Sequence, residues 1–197
     1  MKKKTKVLSG IALGLLVVLG VSLYASGGAL QGRFGLSPNI IRGGVAISVS
    51  ASTPASGDVT AGTTVEVAKY DITATQQDFV IDTLTIDNKM ADSDNNISVI
   101  KLSYSNGSSI VTSTGYLASG VATFSGLSIY VPKDSTTTLD ISVDLNTPFP
   151  GSATPGETIQ LYVDSTGFNA VGQKNSLIVT KYTGTNIQNT GTMTVIK

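Results

Sequence analysis

The sequence predicts an all-β fold, an antiparallel β-sandwich, preceded by an apolar N-terminal helix. Three observations predict it. From Val45 onward, short runs rich in Val, Ile and Thr alternate apolar with polar residues, and each is bounded by Gly, Pro, Asn, Asp or Ser. That is the period-two pattern of half-buried strands. Beyond the N-terminal segment no window of useful length repeats apolar residues at helical spacing. Thr is abundant, Glu occurs only at Glu66 and Glu157, and Trp and His are absent, a composition suited to strands.

The N-terminal segment is read first because it decides the compartment. Lys2, Lys3, Lys4 and Lys6 precede an apolar core from Val7 to Tyr24, and small residues follow through Ala29. This three-part layout is that of an export signal, with cleavage after Gly27 or Ala29. The apolar core is eighteen residues long, so a retained membrane anchor is the other reading. In that case Gly10 and Gly14, in a G-x-x-x-G spacing, let apolar helices pack closely. Both readings keep the lysines on the cytoplasmic side and carry the rest of the chain out.

Residues 30–44 contain "GRFGLSPNIIRGG", in which Gly and Pro interrupt a few apolar positions, and read as a linker or arm. Ile40, Ile41, Val45 and Ile47 form a candidate donor strand that could complete a neighbour's sheet. The favoured alternative is that Ala46 to Ser50 form the domain's own first strand. Residues 45–197 are the sandwich domain, long enough for one core. With no Cys in the chain, it holds together by packing rather than disulfides.

The strand runs follow in order: "VAISVSAS" from Val45, "TVEVAKYDITA" from Thr64, "DFVIDTLTI" from Asp78, "ISVIKLSY" from Ile97, "GVATF" from Gly120 and "LSIYV" from Leu127. "TLDISVDL" from Thr138, "ETIQLYV" from Glu157, "SLIVTKY" from Ser176 and "TMTVIK" from Thr192 complete the set. The cleanest alternation sets Leu139, Ile141, Val143 and Leu145 against Asp140, Ser142 and Asp144. Phe79 and Ile81 fall out of phase with Leu84 and Ile86, which predicts a bulge near Asp82 and Thr83. Asn106-Gly107 predicts a hairpin turn between "KLSY" and "SSIV".

The stretches "ASTPASGDVTAGTTVEVAKYDITA", "ISVIKLSYSNGSSI" and "GVATFSGLSIYVPKDSTTTLDISVDL" resemble an immunoglobulin-like or fibronectin-III-like module of bacterial cell-surface and surface-layer-like proteins. The resemblance spans roughly Val45 to Val163 and is one of pattern. It implies a scaffold with no shared active site.

Chemistry is constrained by what is missing. Without His and Cys, Ser-His-Asp, Cys-His and histidine-zinc sites are excluded. Asp140 and Asp144, on one strand face, are a carboxylate pair to weigh for sugar hydrolysis, against the plain reading of a solvated face. Asp92, Asp94 and Asn96 place oxygen ligands at alternate positions, as calcium requires. Ile97 and Ser103 stand where a helix-loop-helix calcium loop needs its glycine and glutamate, so Asx residues building a turn is the competing reading. Asn96-Ile97-Ser98 and Asn106-Gly107-Ser108 are glycosylation sequons. Some pilus sandwiches carry an intramolecular Lys-to-Asn bond assisted by a buried acid. Glu66 and Lys69 lie close in one strand, yet the sequence identifies no partner Asn for such a bond.

Without the first 29 residues the chain carries nine basic and thirteen acidic residues, a balance that argues against nucleic acid. A type IV pilin is disfavoured, because no glutamate interrupts the N-terminal apolar run. The expectation is therefore an exported cell-surface structural protein, the subunit of a coat or filament. It self-associates into homo-oligomers, is not an enzyme and holds no cofactor other than a candidate calcium ion. It meets the membrane during export or through its anchor. The alternative is a surface-displayed adhesion or carbohydrate-binding module, against which the lack of Trp and the dispersal of the tyrosines count.

Overall fold

Strands with one apolar face must pair edge to edge and then cover that face, and this chain does both. The computed structural model describes residues 43–148, 153–184, 187–188 and 190–197, with only the backbone of Ala91 and Asp92. All of these lie in the unit Ile41–Lys197. The strands are β1 (Gly44–Val49), β2 (Gly57–Thr60), β3 (Thr64–Thr75), β4 (Phe79–Asn88), β5 (Ile97–Ser105) and β6 (Ile110–Gly115). They continue with β7 (Val121–Val131), β8 (Thr136–Leu145), β9 (Thr158–Ile159), β10 (Leu161–Gly172), β11 (Ile178–Val179) and β12 (Met193–Ile196). One 3-10 turn, Ala91–Asn96, connects β4 to β5.

Two antiparallel sheets carry the fold, one ordered β1-β3-β8-β5-β6 and the other β11-β10-β4-β7. A smaller sheet, β2-β12-β9, contains a parallel pairing of β12 with β2. The inward residues of the two large sheets form one buried cluster. Tyr70, Ile72, Ile100, Leu102, Leu139 and Ile141 come from the first sheet, and Phe79, Ile81, Leu84, Ile86, Ile129 and Val163 from the second. The arrangement is all-β and compatible with a β-sandwich.

The phase slip in β4 is a bulge at the expected place. Phe79 and Ile81 are buried, Asp82 and Thr83 are both partly exposed, and Leu84 is buried again. The pairing with β7 shifts register between Ile81 and Thr83, and the pairing with β10 shifts between Asp164 and Asn169. Gly126 and Gly167, at φ +70° and +71°, absorb the irregularity in the flanking strands. The runs "GVATF" and "LSIYV" are therefore one kinked strand, β7, rather than two. The run "ETIQLYV" divides instead at Gln160. "SLIVTKY" yields only the two-residue β11, while β10 continues to Gly172. The strand β2 was not expected, because Val59 is its one buried residue and its partner β12 lies at the far end of the chain.

One flank of the two large sheets is sealed by side chains and irregular backbone. Val163 lies in β10, and its N–H donates to the Tyr70 hydroxyl at 3.2 Å while its carbonyl accepts from the Tyr182 hydroxyl at 2.9 Å. The Tyr70 hydroxyl in turn donates to the Ile187 carbonyl at 2.8 Å. Two residues earlier in β10, the Leu161 carbonyl accepts from Thr190 Oγ1 at 2.9 Å. The outer edge of β1 is covered by the same segment: the Ile47 N–H donates to the Thr183 carbonyl and the Thr183 N–H to the Val45 carbonyl, at 2.8 and 2.9 Å. Gly184 is needed there, because a Cβ would stand 2.0 Å from the Ile47 carbonyl oxygen. Phe168 and Tyr182 pack edge to face with ring centroids 5.1 Å apart.

Burial pushes the Tyr70 and Tyr182 phenols well above their ordinary value. Tyr162 is pushed up to about 12, by burial first and then by its hydrogen bond to Asp87. A raised phenol contributes stability that is fully present below the unfolded value near 10 and is lost as pH rises above it. Replacing Tyr70→Phe leaves the buried Val163 N–H and the partly buried Ile187 carbonyl without this partner, and should cost about 1–3 kcal/mol in urea unfolding at neutral pH. Tyr116→Phe, at a 71% exposed position, is the control and should change little. Equal, near-zero effects would contradict the role given to Tyr70.

Candidate functional site

The polar half of the strand alternation collects on the outer face of the five-stranded sheet. Register aligns Lys69 of β3 with Asp140 of β8, Asp140 with Ser103 of β5, and Ser103 with Thr112 of β6. These four side chains form a row across the strands. Lys69 Nζ lies 3.0 Å from Glu66 Oε2 and 3.3 Å from Asp140 Oδ1. The Glu66 carboxylate first, and that of Asp140 second, hold the ammonium above its ordinary value. Asp140 Oδ1 is shielded from solvent and, though an ion-pair partner of Lys69, has no well-directed hydrogen bond by geometry. The Ser103 and Thr112 hydroxyls meet at 3.0 Å.

Beside this row lies a depression of about 380 Å³, lined by Ser103, Ser105, Ile110, Thr136, Thr138 and Asp140 among others. It presents hydroxyls and one carboxylate beside Ile110 and Tyr104, a surface that offers hydrogen bonds to a polyol.

Asp144, further along β8, is served by a different lysine: Lys101 Nζ and Thr64 Oγ1 approach its Oδ1 at 2.7 and 2.5 Å. Asp140 and Asp144 stand four residues apart on one strand, so their Cα atoms are about 13 Å apart. Each is committed to its own lysine, and they do not face a common point as a hydrolytic carboxylate pair must. Glu66 and Lys69 form an ion pair with Asp140 and have no Asn beside them in it.

The acidic cluster serves to pin loops. Asp94 Oδ1 accepts from Asn88 Nδ2 at 2.8 Å and Oδ2 from the Gly120 N–H at 2.5 Å. Asn96 Oδ1 accepts from the Thr154 N–H at 2.6 Å, and its Nδ2 donates to Glu157 at 2.8 Å. The Asp92 side chain lies outside the described residues. Among the described residues no group of three or more His, Cys, Asp or Glu side chains is placed to hold a metal, and the calcium reading of Asp92, Asp94 and Asn96 is carried no further. Asn96 is also fully buried, which removes it as a glycosylation acceptor.

Val45 and Ile47 are buried in β1, paired to β3 of their own chain. Their backbone partners are internal, so the donor-strand reading is corrected for these two residues. Ile40, Ile41, Lys2, Lys3, Lys4, Gly10 and Gly14 lie outside the described residues. No helix among the described residues is long and apolar enough to cross a membrane.

Strand alternation hides a longer pattern. From Leu102 to Pro132 the chain runs thirty-one residues without a charge, and that stretch holds all of β6 and β7. These are edge strands of the two large sheets, and they lie together, with the Phe124 ring so close over Gly115 that a Cβ there would meet it at 2.7 Å. Ile110 and Tyr116 are 73% and 71% exposed. Counting charges would have found it, where alternation alone did not.

No family model and no curated protein matches the chain. Among solved structures it is similar to AvmM, which catalyzes macrocyclization in alchivemycin A biosynthesis, at 11% identity and TM-score 0.33, over 80% of this chain and 89% of that one. It is also similar to a family 123 glycoside hydrolase from Clostridium perfringens, at 10% identity and TM-score 0.33, over 77% of this chain and 27% of that one. Both are catalysts, and the expectation that the chain is not an enzyme is set against that finding and not carried forward. At this level of likeness they bring no reaction, substrate or residue role to the chain.

The Lys101 hydrogen bond first, and Thr64 second, hold the Asp144 carboxyl below its ordinary value near 3.8. The stability this contributes is present above that value and lost as pH falls through it. The pair is partly solvated, so its worth is no more than about 1 kcal/mol. Lys101→Met should flatten the loss of stability on acidification from about pH 5 to 3, read by urea midpoints. An unchanged acid slope would show that the pair contributes nothing.

Proposed function

We propose that the chain is an exported cell-surface structural protein, a coat or filament subunit that associates with copies of itself through an immunoglobulin-like module. The uncharged flank of β6 and β7 carries this reading. Natural sheets blunt exposed edges with Lys, Pro or inward-pointing charge. Here β6, "IVTSTG", carries none of these, and exposed Ile110 and Tyr116 bracket its outward face. An added strand gains backbone hydrogen bonds along such an edge, and its alternate side chains gain apolar contact. Export is supported by the lysine-led apolar segment through Ala29, and the ion-paired outer face by itself offers little to a charged partner.

The test is the assembly state of the full chain recovered from its native cell surface, by electron microscopy and sedimentation. Ordered particles are expected. Ile110→Lys combined with Thr112→Lys should weaken self-association at least about tenfold while leaving circular dichroism unchanged. A wild-type chain that stays monomeric, or a variant that assembles as before, would contradict the reading. The hydroxyl-lined depression favours a second reading, a glycan-binding module. There Asp140→Ala would abolish retention on a glycan surface, with assembly unaffected.

A further inference from the structure

The hairpin between β5 and β6 turns on Asn106-Gly107-Ser108-Ser109, closed by the Asn106 N–H donating to the Ser109 carbonyl at 3.1 Å. We propose that this turn is a self-catalysed modification site, at which Asn106 deamidates through a succinimide faster in the folded chain than in the unfolded one.

The turn holds each group that the reaction needs. Asn106 Oδ1 accepts the backbone N–H groups of Ser108 and Ser109, both at 2.9 Å. The Gly107 N–H donates to Ser105 Oγ at 3.1 Å. Gly107 sits at φ +92° and, like Ser108 and Ser109, is exposed. It has no Cβ to crowd its nitrogen, and the Tyr130 ring lies 3.0 Å from where one would stand.

The Gly107 nitrogen attacks Asn106 Cγ. As the N–Cγ bond forms, the amide proton passes to solvent hydroxide by way of the Ser105 hydroxyl. The Cγ–Oδ1 π pair moves onto Oδ1, where two N–H donors already point. Donors aimed at the oxygen that gains charge lower the barrier to this step, as in an oxyanion hole. The oxyanion then collapses, the Cγ–Nδ2 bond breaks, and the departing nitrogen takes a proton from water and leaves as ammonia. A second water opens the succinimide to aspartate or isoaspartate. The net change is one water in and one ammonia out, with no oxidant or cofactor.

The product places a carboxylate in the stretch 102–132, which otherwise has no charge. Ser105 and Ile110, on either side of the turn, line the depression on the outer sheet face, so the new charge arrives at its rim.

The experiment incubates the full chain at mildly alkaline pH, native and in urea, and follows tryptic peptide 102–133, in which Asn106 is the one asparagine. Amide-to-acid mass change and isoaspartate are both read. The native rate should exceed the unfolded rate by on the order of tenfold. Ser109→Pro, which removes the backbone and hydroxyl donors of Ser109 to Oδ1 but keeps the Ser109-position carbonyl, should bring it down toward the unfolded rate. A native rate equal to or below the unfolded one overturns the proposal without any substitution. So does a fast native rate that a folded Ser109→Pro variant leaves unchanged.

Discussion

The peptide group of Val163 is the point on which the two large sheets depend. It belongs to the second sheet, yet its N–H is taken by Tyr70 of the first and its carbonyl by Tyr182 of the segment that runs between them. A buried backbone group without a partner costs about as much as several methyl groups of burial gain. The position of Tyr70 in β3, its full burial and the placement of Tyr182 and Ile187 are therefore mutually fixed. Gly184 is part of the same constraint, because the segment can approach the Ile47 carbonyl only without a Cβ.

This clamp makes the two flanks of the fold unequal. On the flank of β1 and β10 the free backbone edges are met by Thr183, Tyr70, Tyr182 and Thr190. On the flank of β6 and β7, among the described residues, no strand pairs with the outer edges. A chain that spends buried tyrosines to close one side, and leaves the other side free of the charges that normally guard it, has a directional surface. The proposed self-association through that side rests on the same edge physics that the clamp answers internally. The outer sheet face plays a lesser part, because Lys69 and Lys101 are already paired with carboxylates there.

Legibility in the sequence tracked how local the cause was. Alternation in β8 and the slip in β4 are set by neighbours two residues apart, and both the strand and its bulge at Asp82 could be read. The Asn106-Gly107 turn is equally local. The strand β2 was hidden because a four-residue run with one buried side chain acquires its meaning only from β12, more than 130 residues later. Tyr182 and Thr190 were hidden for a different reason: they are held by hydrogen bonds among buried polar groups, Gln160 included, which local pattern reads as loop. Asp94 and Asn96 show the converse, since a spacing that suits a cation is used to bind backbone amides and a neighbouring carboxylate.

The most direct test of the clamp is native-state hydrogen exchange at the Val163 amide. The Tyr70 hydroxyl is the acceptor for this amide, so the account predicts exchange as slow as that of the laddered amides in the centre of β4. Exchange at the rate of the outward amides of β6 would contradict it, and would mean that the two sheets are held together by apolar packing alone.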